Sequence, residues 1–226
     1  MEEIEQRQQL IAICRKLESK GLIAASDGNV SCRTGDERFL ITPSGVSKGE
    51  LRPIDLILLG SRGEILAGMG RPSSEIRMHM LAYEKRPDVR AVVHAHPPML
   101  TAFTLAGLSF DAAVLPEVWL TIGPVALAPY ATPCTEEVPK SIAPAIEKHD
   151  AILLERHGSL TLGATLQQAY MRLEKLEHAA HVLFYAHLLT QSPPSPLPFE
   201  ALEKLNRLRE SCLGSSLIDV RFVERR

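Results

Sequence analysis

Apolar residues recur along this chain at two different spacings. In residues 3–20 they recur every three or four positions and stop at Lys20-Gly21, which predicts an amphipathic helix ended by a glycine. The same spacing predicts further helices at 74–86, near 99–106, and at 135–148, 165–190 and 199–211. Short apolar runs between turn residues predict strands at 39–41, 90–95, 112–120, 124–128, 151–158 and 159–163, and a hairpin in 55–66 that turns at 61–63.

Short strands that alternate with helices indicate an α/β architecture with one mixed sheet. A proline-rich connector, "QSPPSPLPF", follows the longest predicted helix at residues 191–199. We therefore predict a single domain over residues 1–190. Residues 191–226 are expected to form an appendage made of the connector, one helix and a polar tail.

The composition narrows the classes of function. Of the 226 residues, 45% are hydrophobic and 23% are charged, and the formal net charge is −2, which fits one or two globular domains with a proper core. The 25 Lys and Arg and the 27 Asp and Glu form no basic block, and aromatic residues make up only 5%. A nucleic-acid partner is therefore not expected, and a small-molecule partner is favoured.

Cysteine use and hydropathy give an expectation about location. The four cysteines, at positions 14, 32, 134 and 212, form no CxxC pair, and the first residues are charged rather than apolar. No apolar run approaches the roughly 20 residues that cross a bilayer. We expect reduced thiols, a cytoplasmic location and no integral membrane segment.

Two histidines end the apolar run "AVVHAHPP" at residues 91–98. A strand places His94 and His96 on the same face, because its side chains alternate with a period of two. A catalytic zinc takes three protein ligands, and His157 follows another apolar strand in "LLERHGSL", whereas most other histidines fall within helical patterns. The alternative is that these strand-end histidines only donate hydrogen bonds to backbone carbonyls.

Three polar loops share a composition of small residues. They are "SDGN" at 26–29, "TPSG" at 42–45 and "RPSS" at 71–74, and the third leads into a predicted helix. Exposed backbone N–H groups at a helix N-terminus, together with small hydroxyls, can bind a phosphate without lysine. The alternative is three ordinary turns and a serine N-cap.

Glu75 follows directly after the paired serines. In the first turn of a helix a carboxylate is electrostatically favoured, so Glu75 could simply support the helix N-terminus. The same position would aim an ionised carboxylate at anything bound between that terminus and a nearby metal, where a general base is needed.

Taken together, these motifs resemble the class II aldolase/adducin family, most closely its fuculose-phosphate aldolase branch. The glycine-asparagine loop, "ITPSG", "PSSE", "VVHAHP" and "RHG" occur in the family's order and at its separations, and the resemblance spans about residues 5–190. It implies a three-layer α/β/α fold around one central sheet. It also implies a homotetramer of C4 symmetry with active sites near the subunit interfaces.

The resemblance assigns roles by motif. His94, His96 and His157 correspond to the ligands of one Zn²⁺ per subunit. Glu75 corresponds to the catalytic acid/base, which can also ligate the zinc when no substrate is present. The residues that correspond to the phosphate pocket are Gly28, Asn29, Ser44, Gly45, Ser73 and Ser74.

The implied reaction is the reversible cleavage of a ketose 1-phosphate to dihydroxyacetone phosphate and a short aldehyde, through a zinc-stabilised enediolate. L-Fuculose 1-phosphate or a similar deoxy-ketose 1-phosphate is the expected substrate. Glu75 and "TPSG" argue against the ribulose-5-phosphate 4-epimerase branch, which carries aspartate and Lys-Pro-Ser-Gly there. A methylthioribulose-1-phosphate dehydratase also has a glutamate near this site and stays an alternative, as does a non-catalytic, adducin-like scaffold.

One departure from the family leaves the aldehyde open. Fuculose-phosphate aldolases use one tyrosine after the HxH segment and one in the C-terminal tail, but "DAAVLPEVWL" has no tyrosine and none follows Tyr185. Glu117, Trp119 and Tyr130 are the candidates that could replace them.

Overall fold

The computed structural model describes residues 3–35 and 37–213, and within them the chain forms one eight-stranded mixed sheet with helices on both faces. The strands are β1 (Asn29–Arg33), β2 (Arg38–Ile41), β3 (Ile57–Gly60), β4 (Ile65–Ala67), β5 (Ala91–Ala95), β6 (Ala126–Ala128), β7 (Ala151–Leu154) and β8 (Gly158–Gly163). The helices are α1 (Glu3–Ser19), α2 (Ile76–Lys85), α3 (Pro98–Leu105), α4 (Pro116–Thr121), α5 (Glu137–Ile146), α6 (Leu166–Thr190) and α7 (Phe199–Leu213).

The strand order is β4-β3-β2-β1-β5-β8-β7-β6. All neighbouring pairs are antiparallel except β6 and β7, which are parallel. The central strands alternate between two buried faces: Ala91 and Val93 of β5 pack with α1 and α6, whereas Val92 packs with α2 and α5. This is the predicted three-layer α/β/α arrangement, and it is confirmed.

The predicted strand over residues 112–120 is wrong. This stretch forms a 3₁₀ turn, Ala112–Val114, followed by the short helix α4, which begins at Pro116. Proline is favoured in the first turn of a helix, and a short apolar run that is buried does not distinguish a strand from a helix by its periodicity. Val118 and Trp119 are accordingly buried from within a helix.

Helix α7, which belongs to the predicted appendage, packs on α4. Leu202 is fully buried in the same apolar cluster as Trp119, and Trp119 Nε1 donates a hydrogen bond to Asn206 Oδ1 at 3.2 Å. Arg209 donates to the carbonyl of Leu120 at 3.0 Å. The division of the chain at residue 190 stays a prediction, and the tail from residue 214 lies outside the described residues.

Asp150, just before β7, holds this packing together electrostatically. Its carboxylate lies 2.8 Å from the guanidinium of Arg86, 2.7 Å from that of Arg172 and 3.8 Å from that of Arg209. The Arg172 and Arg209 side chains are only 10% and 6% exposed, so little solvent screens their charges. One carboxylate therefore compensates guanidinium groups that come from α6 and α7.

Replacing Asp150 with asparagine is expected to lower the free energy of unfolding by about 3 kcal/mol, because it leaves buried guanidinium charges uncompensated. Urea denaturation followed by circular dichroism measures this loss. Asp88→Asn is the matched control: Asp88 also pairs with Arg86 but is 65% exposed, so its loss is expected to cost less than about 1 kcal/mol. Equal losses for the two variants would contradict the role given to Asp150.

No helix among residues 3–35 and 37–213 combines the length and apolar character that a membrane span requires.

Candidate active site

The three histidines meet at one end of the central strands. His94 lies in β5 and His96 directly follows it, whereas His157 lies in the turn between β7 and β8. Because β5 pairs with β8 in a register that sets Ala95 opposite Ser159, this turn lies beside the end of β5. The three imidazole rings have centroid distances of 4.8–4.9 Å.

The glycine in "RHG" is required by the close approach of these strands. A Cβ atom at Gly158 would lie 2.3 Å from the carbonyl oxygen of Ala95 and 2.9 Å from Cδ2 of His96. No side chain fits there without moving backbone. The small residue after His157 is therefore part of what brings this imidazole to the other two.

Glu75 completes the cluster. Its Oε2 lies 3.1 Å from His94 Nε2 and its Oε1 lies 3.2 Å from His157 Nε2, and His94 Nε2 lies 3.1 Å from His96 Nε2. Glu75 occupies the N-cap position of α2, but its side chain makes no capping hydrogen bond. Glu75 therefore does not cap the helix through a hydrogen bond, because its carboxylate is directed to the histidines.

A hydrogen bond behind the His94 ring determines which of its nitrogens faces the centre of the cluster. His94 Nδ1 lies 2.9 Å from the carbonyl oxygen of Ser159, which can only accept, so Nδ1 carries a proton and Nε2 is the nitrogen that faces the centre of the cluster. His96 Nδ1 lies 3.5 Å from a carboxylate oxygen of Asp27. Ligand imidazoles in proteins commonly donate their second nitrogen to a carbonyl or carboxylate in this way.

These donors fit a divalent metal. One ligand atom from each of Glu75, His94, His96 and His157 lies within 4.8 Å of the others. Within residues 3–35 and 37–213, these four residues form the cluster of side chains that could hold a metal ion. His94 Nε2 and His96 Nε2 face each other at 3.1 Å, a separation at which both nitrogens could ligate one cation. In a tetrahedron with ligand bonds of about 2.0–2.1 Å the donor atoms are about 3.3–3.4 Å apart, close to the distances found here.

Burial and neighbouring charges determine the protonation states of Glu75 and His96. Burial alone would raise the pKa of the Glu75 carboxyl, but His94 and His157 together lower this pKa well below its usual range. Burial, with a smaller contribution from His94 and His157, lowers the pKa of His96 to about 4. At neutral pH the site therefore offers an ionised carboxylate and a neutral His96, which are the forms that ligate a cation.

Two of the residues predicted for the phosphate pocket, Asn29 and Ser73, contact Glu75 directly. Asn29 is 3% exposed, and its Nδ2 donates to Glu75 Oε2 at 2.9 Å. The loops at 42–45 and 71–74 lie against each other through a bridge between Pro43 and Pro72. Gly28 has φ +68° and lies against the backbone of β5, where a Cβ would be 2.9 Å from the carbonyl oxygen of His94.

Two of the backbone amides in these loops are already paired. Ser44 N–H donates to the carbonyl of Arg71 at 2.9 Å, and Ser73 N–H donates to that of Thr42 at 3.2 Å. The Ser73 hydroxyl accepts from Glu75 N–H at 3.3 Å, and the exposed Ser74 hydroxyl contacts Cys134 Sγ at 3.0 Å. The backbone amides of Ser44 and Ser73 are therefore occupied, whereas the hydrogen of the Ser73 hydroxyl stays available to an anion.

Two buried residues near the site, Lys48 and His79, were not predicted from the sequence. Lys48 is 1% exposed, and its Nζ donates to the carbonyls of Ser26 and Val46 at 2.7 and 2.8 Å, which ties two of the polar loops together. His79 is fully buried against Asn29. A signal for His79 was its spacing of four from Glu75 on a helix, which places the two on the same face.

The replacements considered for the family's tyrosines differ in their surroundings. Trp119 is 2% exposed, and its indole N–H is bonded to Asn206, so this side chain is committed to the packing of α4 on α7. Glu117 and Tyr130 are exposed. The proposal that one of them assists the reaction stays a prediction.

Comparisons with known proteins fit this geometry. A family model described as "Class II Aldolase and Adducin N-terminal domain" matches residues 8–184. The 5-deoxy-D-ribulose 1-phosphate aldolase of Bacillus thuringiensis serovar kurstaki is 30% identical over 203 residues, which cover 89% of this chain and 93% of that protein. The 3-oxo-tetronate 4-phosphate decarboxylase of Escherichia coli K12 is 32% identical over 182 residues, covering 79% and 85%. A solved structure titled "L-fuculose 1-phosphate aldolase" superposes with a TM-score of 0.78 at 29% identity, covering 89% of this chain and 94% of that one.

Proposed function

This chain belongs to the class II aldolase and adducin family, and we propose that it is a zinc-dependent aldolase that reversibly cleaves a ketose 1-phosphate. The products are dihydroxyacetone phosphate and a short aldehyde. L-Fuculose 1-phosphate and 5-deoxy-ketose 1-phosphates are the substrates that the relatives' names suggest.

The observation that carries the proposal is the position of Glu75 between two kinds of group. On one side its oxygens lie 3.1 and 3.2 Å from imidazole nitrogens, and on the other side Oε2 accepts from the Asn29 amide at 2.9 Å. A base that lies between a cation site and a neutral anion pocket suits a substrate with a carbonyl and a phosphate a few bonds apart.

The chain's own residues divide the work. The Asn29 amide and the Ser73 and Ser74 hydroxyls hold the phosphate, which positions the substrate carbonyl relative to the three histidines and Glu75. The bond that breaks joins C3 to C4 of the ketose, and the electron pair stays with the dihydroxyacetone phosphate half. A divalent cation held by the three histidines supplies Lewis-acid stabilisation for the negative charge that develops on the substrate oxygens.

Glu75 moves the proton at carbon. In the addition direction its carboxylate accepts a proton from the hydroxyl-bearing carbon of dihydroxyacetone phosphate, and the aldehyde oxygen takes up a proton as it becomes the C4 hydroxyl. In cleavage the C4 hydroxyl loses that proton as the aldehyde carbonyl forms, and Glu75 returns one proton to C3. The lowered pKa of Glu75 keeps the carboxylate ionised while the histidines lie beside it. With a cation held by the three histidines, the Glu75 carboxylate would be free for this role.

Zinc and the homotetramer are further parts of the proposal. Three imidazoles and a carboxylate suit zinc better than harder cations such as Mg²⁺ or Ca²⁺, which prefer oxygen ligands. Large apolar side chains remain exposed on the C-terminal half of α6, where Leu189 is 86% exposed and Leu188 is 56% exposed. Such a surface fits contact with another copy of the chain.

A second candidate is decarboxylation of a 3-oxo sugar-acid phosphate, favoured by the 32% identical E. coli relative. It uses the same groups, since loss of CO₂ next to a carbonyl leaves the same kind of negative charge on oxygen and the same need for a proton at carbon. The dehydratase and the 4-epimerase are the remaining alternatives within this family.

The test is a substrate panel with the purified protein after its metal content has been measured. The panel contains L-fuculose 1-phosphate, 5-deoxyribulose 1-phosphate, methylthioribulose 1-phosphate, ribulose 5-phosphate and 3-oxo-tetronate 4-phosphate. We expect release of dihydroxyacetone phosphate from a 1-phosphate, measured by enzymatic reduction with NADH. Release of CO₂, loss of water or epimerisation without cleavage would identify the corresponding alternative, and inertness toward the whole panel in a metal-free protein would favour the scaffold.

A further inference from the structure

A continuous line of buried hydrogen bonds runs from Glu75 between α2 and β1. His79 and Tyr83 follow Glu75 at intervals of four on α2, so that all three share one face of the helix. Asn29 and Ser31 lie two apart on β1 and therefore face the same helix. His79 and Ser31 have no exposed surface, and Asn29 and Tyr83 are each 3% exposed.

The contacts follow one another without a gap. Asn29 Nδ2 lies 2.9 Å from Glu75 Oε2, and Asn29 Oδ1 lies 2.5 Å from His79 Nε2. On the other side of the ring, His79 Nδ1 lies 2.7 Å from Ser31 Oγ. Ser31 Oγ in turn lies 2.7 Å from the Tyr83 hydroxyl.

The donor and acceptor roles along this line have one consistent assignment. An ionised carboxylate only accepts, so the Asn29 amide nitrogen faces Glu75 and the amide oxygen faces His79. That oxygen only accepts as well, so His79 carries its proton on Nε2 and accepts at Nδ1 from the Ser31 hydroxyl. Tyr83 then donates to Ser31. Burial lowers the pKa of His79 to about 3, with a smaller lowering by His94, so the ring is neutral as this assignment requires.

We propose that His79 is a positioning residue, which fixes the orientation of the Asn29 amide and through it the Glu75 carboxylate. The inference rests on the proposed function of Glu75 and Asn29. An amide nitrogen carries two hydrogens, and Glu75 takes one, which leaves the other for the substrate phosphate. With a single hydrogen bond to Asn29, His79 thereby aligns both Glu75 and the amide that donates to the phosphate. His79 itself is not one of the four residues of the metal-ligand cluster.

Three substitutions separate positioning from general packing. His79→Leu keeps an apolar side chain in the space but removes the donor to Asn29. His79→Gln keeps a donor, because its amide nitrogen extends from the backbone about as far as imidazole Nε2. Tyr83→Phe is the matched control, since it removes the last hydroxyl of the line and leaves the contact between His79 and Asn29 intact.

We expect His79→Leu to lower kcat roughly 10- to 100-fold and to raise KM for the phosphorylated substrate several-fold. Losses of this size are typical when a residue that orients a metal-ligating side chain is removed. His79→Gln is expected to recover most of kcat, and Tyr83→Phe to stay within about threefold of the parent. Thermal unfolding is recorded for all three, because a merely structural role for His79 would give losses of activity that follow stability alone.

Two measurements need no turnover. Long-range ¹H–¹⁵N correlation spectra of histidine-labelled protein report the tautomer of His79, and we expect a neutral ring protonated at Nε2. Titration of the metal-free protein with Zn²⁺ is expected to give a dissociation constant about tenfold larger for His79→Leu than for the parent. His79→Gln is expected to restore the zinc affinity of the parent.

The outcomes keep this inference separate from the proposed function. A parent protein that cleaves none of the sugar phosphates refutes the proposed reaction, while the tautomer and the zinc titration still decide the role of His79. A ring protonated at Nδ1 would overturn the inference. So would a folded His79→Leu variant with unchanged kcat and zinc affinity, or a His79→Gln variant no better than His79→Leu.

Discussion

Replacement of His94 by alanine is expected to remove the bound metal and to lower kcat/KM by more than about 10³-fold. A Lewis acid is worth several kcal/mol of transition-state stabilisation, and each 1.4 kcal/mol is about tenfold in rate. We expect His94 to be the central ligand, because its Nε2 lies 3.1 Å from both His96 Nε2 and Glu75 Oε2. Metal analysis of the purified variant and the rate of dihydroxyacetone phosphate release check the two effects separately.

The control for this variant is His149→Ala. His149 follows α5, and its Nδ1 hydrogen-bonds to the carbonyl of Ala145 at 3.0 Å, apart from the cluster. Its removal is expected to leave both metal content and rate near those of the parent. A His94→Ala protein that is folded and as active as the parent would refute the metal-dependent reaction.

Glu75→Gln is expected to lower kcat by about 10²–10⁴-fold, the usual contribution of a positioned general base, while the three histidines still bind metal. The amide has nearly the shape of the carboxylate but cannot accept a proton from carbon at neutral pH. The loss should therefore lie in kcat rather than in KM for the phosphorylated substrate. Steady-state kinetics and metal analysis on the same preparation measure both quantities.

Proton exchange gives an independent readout for Glu75. The parent protein should exchange a carbon-bound hydrogen of dihydroxyacetone phosphate with deuterium from the solvent when no aldehyde is present, and Glu75→Gln should not. Glu174→Gln on the exposed side of α6, where Glu174 pairs with Lys20, is the matched control. Rapid exchange in Glu75→Gln would assign the base to another residue.

Local patterns in the sequence predicted most of the fold. The amphipathic spacing of α1, the hairpin of β3 and β4 and the apolar run of β5 each depend on residues close in the chain, which is why they could be found without the structure. The stretch 112–120 failed for the opposite reason. A short buried apolar run does not distinguish a strand from a helix by its periodicity, and Trp119 is buried by contacts with α7, about 80 residues further along the chain.

The candidate site divides in the same way. The spacing of His94 and His96 makes them neighbours on any strand, so their pairing follows from the sequence alone. That His157 joins them depends on the antiparallel pairing of β5 with β8 and on the close approach at Gly158. The family resemblance brought His157 and Glu75 into one site, but it gave no distances.

By itself, the sequence determined the periodicity of the elements, the alternation that makes a three-layer domain, and the residue types of a metal and anion site. Only the tertiary structure decided the direction of each polar group: Glu75 toward the histidines rather than its helix terminus, Asn29 between Glu75 and His79, and Lys48 buried between two loops. The physical reason is that periodicity is a property of neighbouring residues, whereas a hydrogen bond in a buried site is chosen among partners that come from distant parts of the chain.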